Sequence, residues 1–313
     1  MTTSQAPDDR WTALGWDEEW CDAFADLPGV AARVGRVDRG WLRVLHRDGD
    51  RSIAAPTSGT SPVTGDWVAC AFAAEPPHVV TVAPRRTALV RRDPADNAPR
   101  PQVLAANMDE VWILHAVDQP LRSGWLDRAL VVANGSGADV LVVVAKADLP
   151  GAIGVAADVA ALAPDVTVHA TSAVDGTGVT ALRARVDGGR CAALLGRSGA
   201  GKSSLINALL GDTAHRTADV RTGDARGRHT TTRRSLTRVG GGTVIDAPGV
   251  RALGLWEPAD GLALTFPEIA ELASRCRFAD CSHTHEPGCA VVAARDDGAL
   301  DTDRYHRYIT LSD

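Results

Sequence analysis

Eight residues, GRSGAGKS at Gly196–Ser203, restrict what this chain can fold into more than any other stretch. They match G-x-x-x-x-G-K-[ST], and their flanks agree: the apolar run Cys191–Leu195 precedes them and the helical pattern Ser203–Leu210 follows. A chain that leaves a strand, turns through glycines and enters a helix aims successive backbone N–H groups at one anion, and the helix N-terminus adds partial positive charge. The expected cradle is Gly196, Arg197, Ser198, Gly199, Ala200 and Gly201, running into Lys202, Ser203 and Ser204. Lys202 is expected at the β- and γ-phosphates of a nucleotide, with the Ser203 hydroxyl on Mg²⁺.

Such a loop needs a parallel α/β sheet, and the pattern supplies one. Strand-like runs at Glu110–Val117, Asp139–Ala145, Val166–Ala170, Arg190–Leu195, Ser235–Val239 and Thr243–Ile245 alternate with helical runs at Leu126–Asn134, Ala152–Leu162, Val179–Val186 and Ser203–Leu210. That rhythm predicts a mostly parallel sheet covered on both faces. Before it, Gly35–Asp38, Trp41–Leu45, Arg51–Ala55, Asp66–Phe72 and Val79–Val82 read as the short strands of a small barrel. The Pro-rich Arg91–Pro101 reads as a linker. Residues 1–30 are acidic, and Trp11, Trp16 and Trp20 recur at near-helical spacing, as in a helix packing its indoles on the body.

Two further segments fit a nucleotide site. VIDAPG places Asp246 at a strand end and Gly249 three residues on, matching D-x-x-G: an acid reaching Mg²⁺ through water and an N–H facing the γ-phosphate. AKADL (Ala145–Leu149) ends a strand and resembles the guanine-reading N-K-x-D motif, with Ala145, Lys146, Ala147 and Asp148 in its four places. Asp148 would accept from the base's ring N–H and exocyclic amine, and the Lys146 stem would lie along the base plane. TSAVDGTG from Thr171 then supplies Ser172 and Ala173, whose backbone would meet the base carbonyl. The chain carries 31 arginines and only two lysines, Lys146 and Lys202, both inside these motifs.

The base-reading segments precede the phosphate loop, the reverse of the usual order, as expected of a circularly permuted domain. Permutation, the barrel, and Cys276-x4-Cys281-x-His283-x5-Cys289 together resemble the ribosome small subunit-dependent GTPase (RsgA) family. GDWV (Gly65–Val68), RHTTT (Arg228–Thr232), DAPGV (Asp246–Val250) and CRFADCSH (Cys276–His283) carry the likeness, which covers roughly residues 33–313 and leaves out the acidic start. The resemblance implies a multidomain chain: an acidic extension (1–32), an OB-fold RNA-binding barrel with linker (33–100), a permuted P-loop GTPase domain (101–257) and a small helical zinc-binding domain (258–313). It implies a GTP hydrolase that binds GTP and GDP, is stimulated by the small (30S) ribosomal subunit, binds its rRNA and acts late in its maturation.

One residue departs from the pattern. Ala145 stands where the motif has Asn or Thr and cannot hydrogen-bond, a loss of roughly 0.5–1.5 kcal/mol. The long polar segment Asp212–Arg234 is expected to be the first switch, with one of Thr230–Thr232, Thr231 by preference, as second ligand to Mg²⁺. Val250 occupies the place where GTPases often carry a water-orienting glutamine, so His229 is the expected substitute.

The Cys/His cluster offers three thiolates and one imidazole, a closed structural zinc set. His285 rivals His283 on spacing; the resemblance favours His283. Cys21, Cys70 and Cys191 read as packing residues. Net charge is −6, but residues 1–32 carry seven acids against one arginine, whereas 33–100 carry eleven arginines against seven acids. The basic barrel suits phosphate contact; with only Trp41, Trp67 and Phe72 there, backbone recognition is favoured over base stacking. No apolar run is long enough to span a membrane and MTTSQAPDDRW lacks the marks of a secretory signal, so a cytoplasmic, monomeric protein is expected. Two other readings stay open: a P-loop ATPase or kinase, and an RNA-binding module gated by nucleotide.

Overall fold

A computed structural model of the chain describes residues 9–56, 58–94, 99–211, 234–247 and 253–312. The expected switch residues His229, Thr230, Thr231 and Thr232, together with Gly249 and Val250, lie outside the described residues.

The chain opens with α1 (Asp9–Thr12) and α2 (Glu18–Ala25), the latter capped by Asp17, which accepts from the Trp20 N–H at 2.9 Å. Five strands follow: β1 (Val30–Asp38), β2 (Trp41–Leu45), β3 (Arg51–Ala54), β4 (Trp67–Ala71) and β5 (His78–Val82). They pair in the order β1-β2-β3-β5-β4, and β4 returns to β1, closing the barrel in OB-fold order. Val34, Leu42, Val44, Ile53, Val68 and Val79 fill it. β1 begins at Val30 rather than Gly35, because residues 30–33 are the part that pairs with β4.

Trp11, Trp16 and Trp20 are all buried, with ring centroids 5.3, 4.8 and 5.9 Å from that of Trp67 in β4. The acidic start therefore contributes to the core. Buried Arg33 donates to the carbonyls of Leu14, Gly65 and Asn107, tying that start to the barrel and to the chain entering the next sheet.

The segment expected to be a linker is the end of a hairpin. β6 (Ala88–Arg92) pairs antiparallel with β7 (Pro101–Ala106), Arg92 opposite Pro101, and the Asp93 N–H donates to the Arg100 carbonyl at 2.9 Å. Pro101 opens a strand, a position where a missing N–H is tolerated.

Six strands then build the central sheet: β8 (Glu110–Ala116), β9 (Asp139–Ala145), β10 (Thr167–Thr171), β11 (Cys191–Gly196), β12 (Ser235–Val239) and β13 (Gly242–Asp246). Their order is β10-β9-β8-β11-β13-β12, parallel except for β12. β8 and β11 are buried along their whole length, as a sheet covered on both faces requires. α3 (Ser123–Asn134) and α4 (Ala152–Leu162) pack on one face through Leu126, Leu130 and Val159. α5 (Val179–Val186) and α6 (Lys202–Leu210) pack on the other through Leu182, Leu205 and Leu209. Arg36 of β1 pairs with Ser235 of β12, so barrel and central sheet form one continuous eleven-stranded sheet.

The last segment is helical: α7 (Ala259–Thr265), α8 (Pro267–Ala273), α9 (Ala290–Asp296) and α10 (Thr302–Ser312) surround Phe266, Ile269, Val291 and Tyr305. Arg307 of α10 forms a two-pronged pair with buried Asp127 of α3, fixing this segment to the central sheet. Among the described residues no helix is long and apolar enough to cross a membrane.

Candidate functional site

β11 stands between β8 and β13, and its carboxyl end delivers the chain into the 197–201 loop and then α6. Gly199 and Gly201 have φ of +79° and +91°, values that a side chain would strain, so two glycines of the motif are dictated by backbone shape. Ala200 is buried beneath the loop, while Ser198, Ser203 and Ser204 are exposed at its mouth. Lys202 is buried at the start of α6 and donates to the carbonyls of Gly196 at 2.8 Å and Arg197 at 3.1 Å. Burial lowers its pKa, and Asp246 partly offsets that.

Asp246 ends β13 opposite Leu194, one strand over from the loop. The residue is 6% exposed, and its Oδ1 has no hydrogen-bond partner among the described residues. Burial raises its pKa, with Lys202 acting the other way. A buried carboxylate oxygen left open beside a lysine and a glycine loop is suited to a metal ion or its water.

The base-reading segments arrive at the same edge. Ala145 is the last residue of β9, and its Cβ lies 3.7 Å from where a Cβ on Gly201 would stand. Thus β9 and the phosphate loop touch although the sequence separates them. Lys146 has φ +64° and its ammonium pairs with Asp118 at 2.6 Å. Exposed Asp148 accepts from the buried Ser172 hydroxyl at 2.7 Å, and the Ala147 N–H donates to the Thr171 carbonyl at 3.0 Å. The Ser172 oxygen also receives the Val174 N–H at 3.1 Å, shaping the turn that begins at Ala173. The structure thus brings together Gly196–Ser204, Asp246, Ala145–Asp148 and Ser172–Ala173 at the carboxyl ends of parallel strands, where doubly wound sheets bind ligands.

Sequence reasoning missed Asp118 and Gln119. They lie in the turn after β8, and the Gln119 amide donates to the Ser198 carbonyl at 3.0 Å. The available signal was positional: they follow a strand at that same edge.

The Cys/His cluster lies at the far end of the chain. Ligand atoms of Cys276, Cys281, His283 and Cys289 all fall within 4.8 Å of one another, so the set could hold one metal ion. His283 has φ +59°, and Tyr305 donates to its carbonyl at 2.8 Å. Glu286 accepts the N–H groups of Ser282 at 3.0 Å and Thr284 at 3.2 Å, and hydrogen bonds led by the Ser282 hydroxyl hold its carboxyl well below the usual range. His285 is exposed and its Nδ1 faces the Thr284 hydroxyl, outside the cluster. Cys70 and Cys191 are buried packing residues, the former with its thiol pushed up to about 12 by burial. Cys21 receives the Trp16 indole N–H.

The RsgA GTPase family profile matches residues 82–256. Across the chain, similarity is broad: the small ribosomal subunit biogenesis GTPase RsgA of Streptomyces coelicolor is 45% identical, covering 99% of this chain and 88% of that protein. The chain belongs to the RsgA GTPase family. The protein of the same description from Opitutus terrae is 39% identical, covering 96% of this chain and 88% of that protein. Coverage of 99% takes in the acidic start, which corrects the expectation that likeness to RsgA begins near residue 33. Among solved structures, YjeQ from Thermotoga maritima superposes with a TM-score of 0.64 at 23% identity, covering 90% of this chain and 96% of that one. YloQ, described as a circularly permuted GTPase, gives 0.60 at 25% identity, covering 90% and 93%. The strand order agrees with that permutation: β8, β9 and β10 precede β11 in sequence but flank it on one side in space.

Proposed function

We propose that this chain is a GTPase of small ribosomal subunit biogenesis that binds GTP and GDP at the carboxyl edge of its central sheet. The observation that carries this is the convergence of the phosphate loop, Asp246 and the Asp148–Ser172 pair at one edge of a permuted sheet. In this reading the backbone of Gly196–Gly201 cradles the phosphates, and Lys202 leaves the loop carbonyls for the β- and γ-phosphates. Ser203 and the open oxygen of Asp246 face Mg²⁺, which balances charge on the γ-phosphoryl group. Gly249 contributes an N–H to that group and Thr231 a second oxygen to the ion. Asp148, oriented by Ser172, accepts from the guanine edge; Ala147 and Ala173 complete that pocket's backbone, and the Lys146 stem lies along the base.

No glutamine follows Gly249, so water is oriented by His229, and unaided turnover is slow. The small subunit and its rRNA stimulate it in the last stage of that particle's maturation. Buried Trp67 cannot stack on a base and Trp41, 47% exposed, is the one barrel tryptophan that can, so the barrel meets RNA chiefly through its basic surface. The protein acts as a monomer in the cytoplasm.

The Cys276, Cys281, His283 and Cys289 set binds one structural zinc ion. The Cys276–Cys289 sulfur separation is 3.8 Å, and each of those sulfurs stands 3.5 Å from His283 Nδ1. Tetrahedral zinc, with Zn–S about 2.3 Å and Zn–N about 2.0–2.1 Å, gives S–S edges of about 3.8 Å and S–N edges of about 3.6 Å.

The test is hydrolysis of GTP and ATP with and without purified small subunits. GTP turnover that rises with the subunit supports the reading; equal use of ATP favours a general P-loop ATPase, and subunit binding indifferent to nucleotide favours a plain RNA-binding module. His229→Ala should lower subunit-stimulated single-turnover hydrolysis by ~10² while leaving affinity for a non-hydrolysable GTP analogue unchanged. Wild-type rates in that variant would remove His229 from the chemistry.

A further inference from the structure

Ala145 leaves the base-reading strand with no side chain able to tie it to the phosphate loop, yet the two halves of the site must keep a fixed spacing to hold one nucleotide. The turn after β8 lies between them and touches both. On the base side, Asp118 pairs with Lys146 at 2.6 Å, and the Val117 N–H donates to the Ala145 carbonyl at 3.0 Å. On the phosphate side, the Gln119 amide reaches the Ser198 carbonyl at 3.0 Å, a partner 79 residues away in sequence. Its Nε2 lies 3.1 Å from where a Cβ on Gly199 would stand, so it packs directly against that glycine. The turn itself has support below: the Gln119 N–H donates to the Ala116 carbonyl at 3.0 Å, and His115 is 4% exposed beneath it. Burial lowers the pKa of the His115 ring, Arg197 of the phosphate loop acts the same way, and the Gln119 backbone and Asp118 partly offset them.

We infer that Asp118 and Gln119 form a brace spanning the nucleotide site, with Gln119 as the positioning residue that does what the absent Asn or Thr side chain at 145 would do. This rests on the guanine-nucleotide reading above. In this role Gln119 holds the Ser198 loop rather than the ligand, and sets the distance between the groups that bind base and phosphate. A brace matters only to a ligand spanning both halves, so its loss should weaken GDP and leave pyrophosphate, which occupies only the phosphate half, unaffected. It should also make a side chain at 145 more valuable, because two ties across one gap are partly redundant.

The experiment measures binding of a fluorescent GDP analogue, its displacement by GDP and by pyrophosphate, and the melting temperature of the nucleotide-free protein. The proteins are wild type, Gln119→Ala, Asp118→Ala/Gln119→Ala, Ala145→Asn, and the combination of all three substitutions. Gln119→Ala should weaken GDP about threefold and the double variant about tenfold, with pyrophosphate displacement and melting unchanged. Ala145→Asn should then recover most of that loss, with a gain at least threefold larger than in wild type. Unchanged GDP affinity in both brace variants would overturn the brace. So would a parallel loss of pyrophosphate binding, which would make Gln119 a shaper of the phosphate loop alone, or a lowered melting temperature, which would make it merely structural. A rescue no larger than the gain in wild type would overturn its link to position 145. Wild-type protein that binds pyrophosphate but not GDP would instead bring down the guanine reading beneath the proposal.

Discussion

The two halves of the nucleotide site are built in different ways. The phosphate half is local: one strand end, one loop and one helix start, with backbone N–H groups as recognition elements and two left-handed glycines setting their direction. The base half is assembled from three strand ends, and its side chains work in pairs, Asp148 with Ser172 and Lys146 with Asp118. Local backbone recognition tolerates little sequence change, because it depends on φ values that only certain residues adopt. Recognition by paired side chains can lose a member and be repaired from a neighbouring element, which is the role proposed above for Gln119 beside Ala145.

The comparison breaks or sharpens under substitution. The largest effect belongs to the phosphate half: Lys202→Ala should lower kcat/KM for GTP by about 10³-fold, on the scale of losing a charged transition-state donor, with the fold intact by circular dichroism. Normal GTP turnover in that variant would mean that the loop does not hold the reacting phosphate. Next is Asp148→Asn, which exchanges an acceptor for a donor. GDP should weaken by about 10- to 100-fold, the equivalent of charge-assisted hydrogen bonds, while xanthosine diphosphate improves; calorimetry with both ligands decides it. Smaller and opposite in sign, Ala145→Asn should tighten GDP by about two- to tenfold, and a loss instead would show that this strand end has no room to read the base. The smallest change is Ser172→Ala, which frees Asp148 to rotate and should weaken GDP by about twofold with ATP discrimination retained. Equal losses for GDP and ATP would place Ser172 outside base recognition.

The same contrast explains what was legible in the sequence. Gly196–Ser203 was readable because strand, loop and helix are contiguous, and α4 and α5 begin where the pattern put them, at Ala152 and Val179. The cluster at Cys276–Cys289 was readable for the same reason; spacing left His283 and His285 as rivals, the resemblance favoured His283, and the fold places His283 with the cysteines. Asp118 and Gln119 were invisible because their partners, Lys146 and Ser198, lie far away in the chain. β6 and β7 were hidden because Arg91–Pro101 has the Pro, Asp and Asn content of a tether, and only antiparallel pairing with Pro101 at a strand start reveals the hairpin. The three N-terminal indoles pack as expected, though on two short helices with Trp16 between them rather than on one, and sequence could not name Trp67 as their common partner. Arg33 reads as one more basic residue of the barrel; its three carbonyl acceptors come from separate segments.

The pairing of Arg36 with Ser235 joins β1 to β12, and β12 is the last strand on its side of the central sheet. A terminal strand with unsatisfied N–H and C=O groups invites other chains to add to it, and natural proteins blunt such edges. Here the barrel stands at that edge: its first strand leaves β4 at Arg33 and pairs with β12 at one point, Arg36 with Ser235. Cutting the chain after the barrel to isolate the nucleotide domain would bare that edge, and the fragment would tend to self-associate however well its own core packed. The barrel thus covers, at that pairing, part of an edge that the central sheet would otherwise leave open.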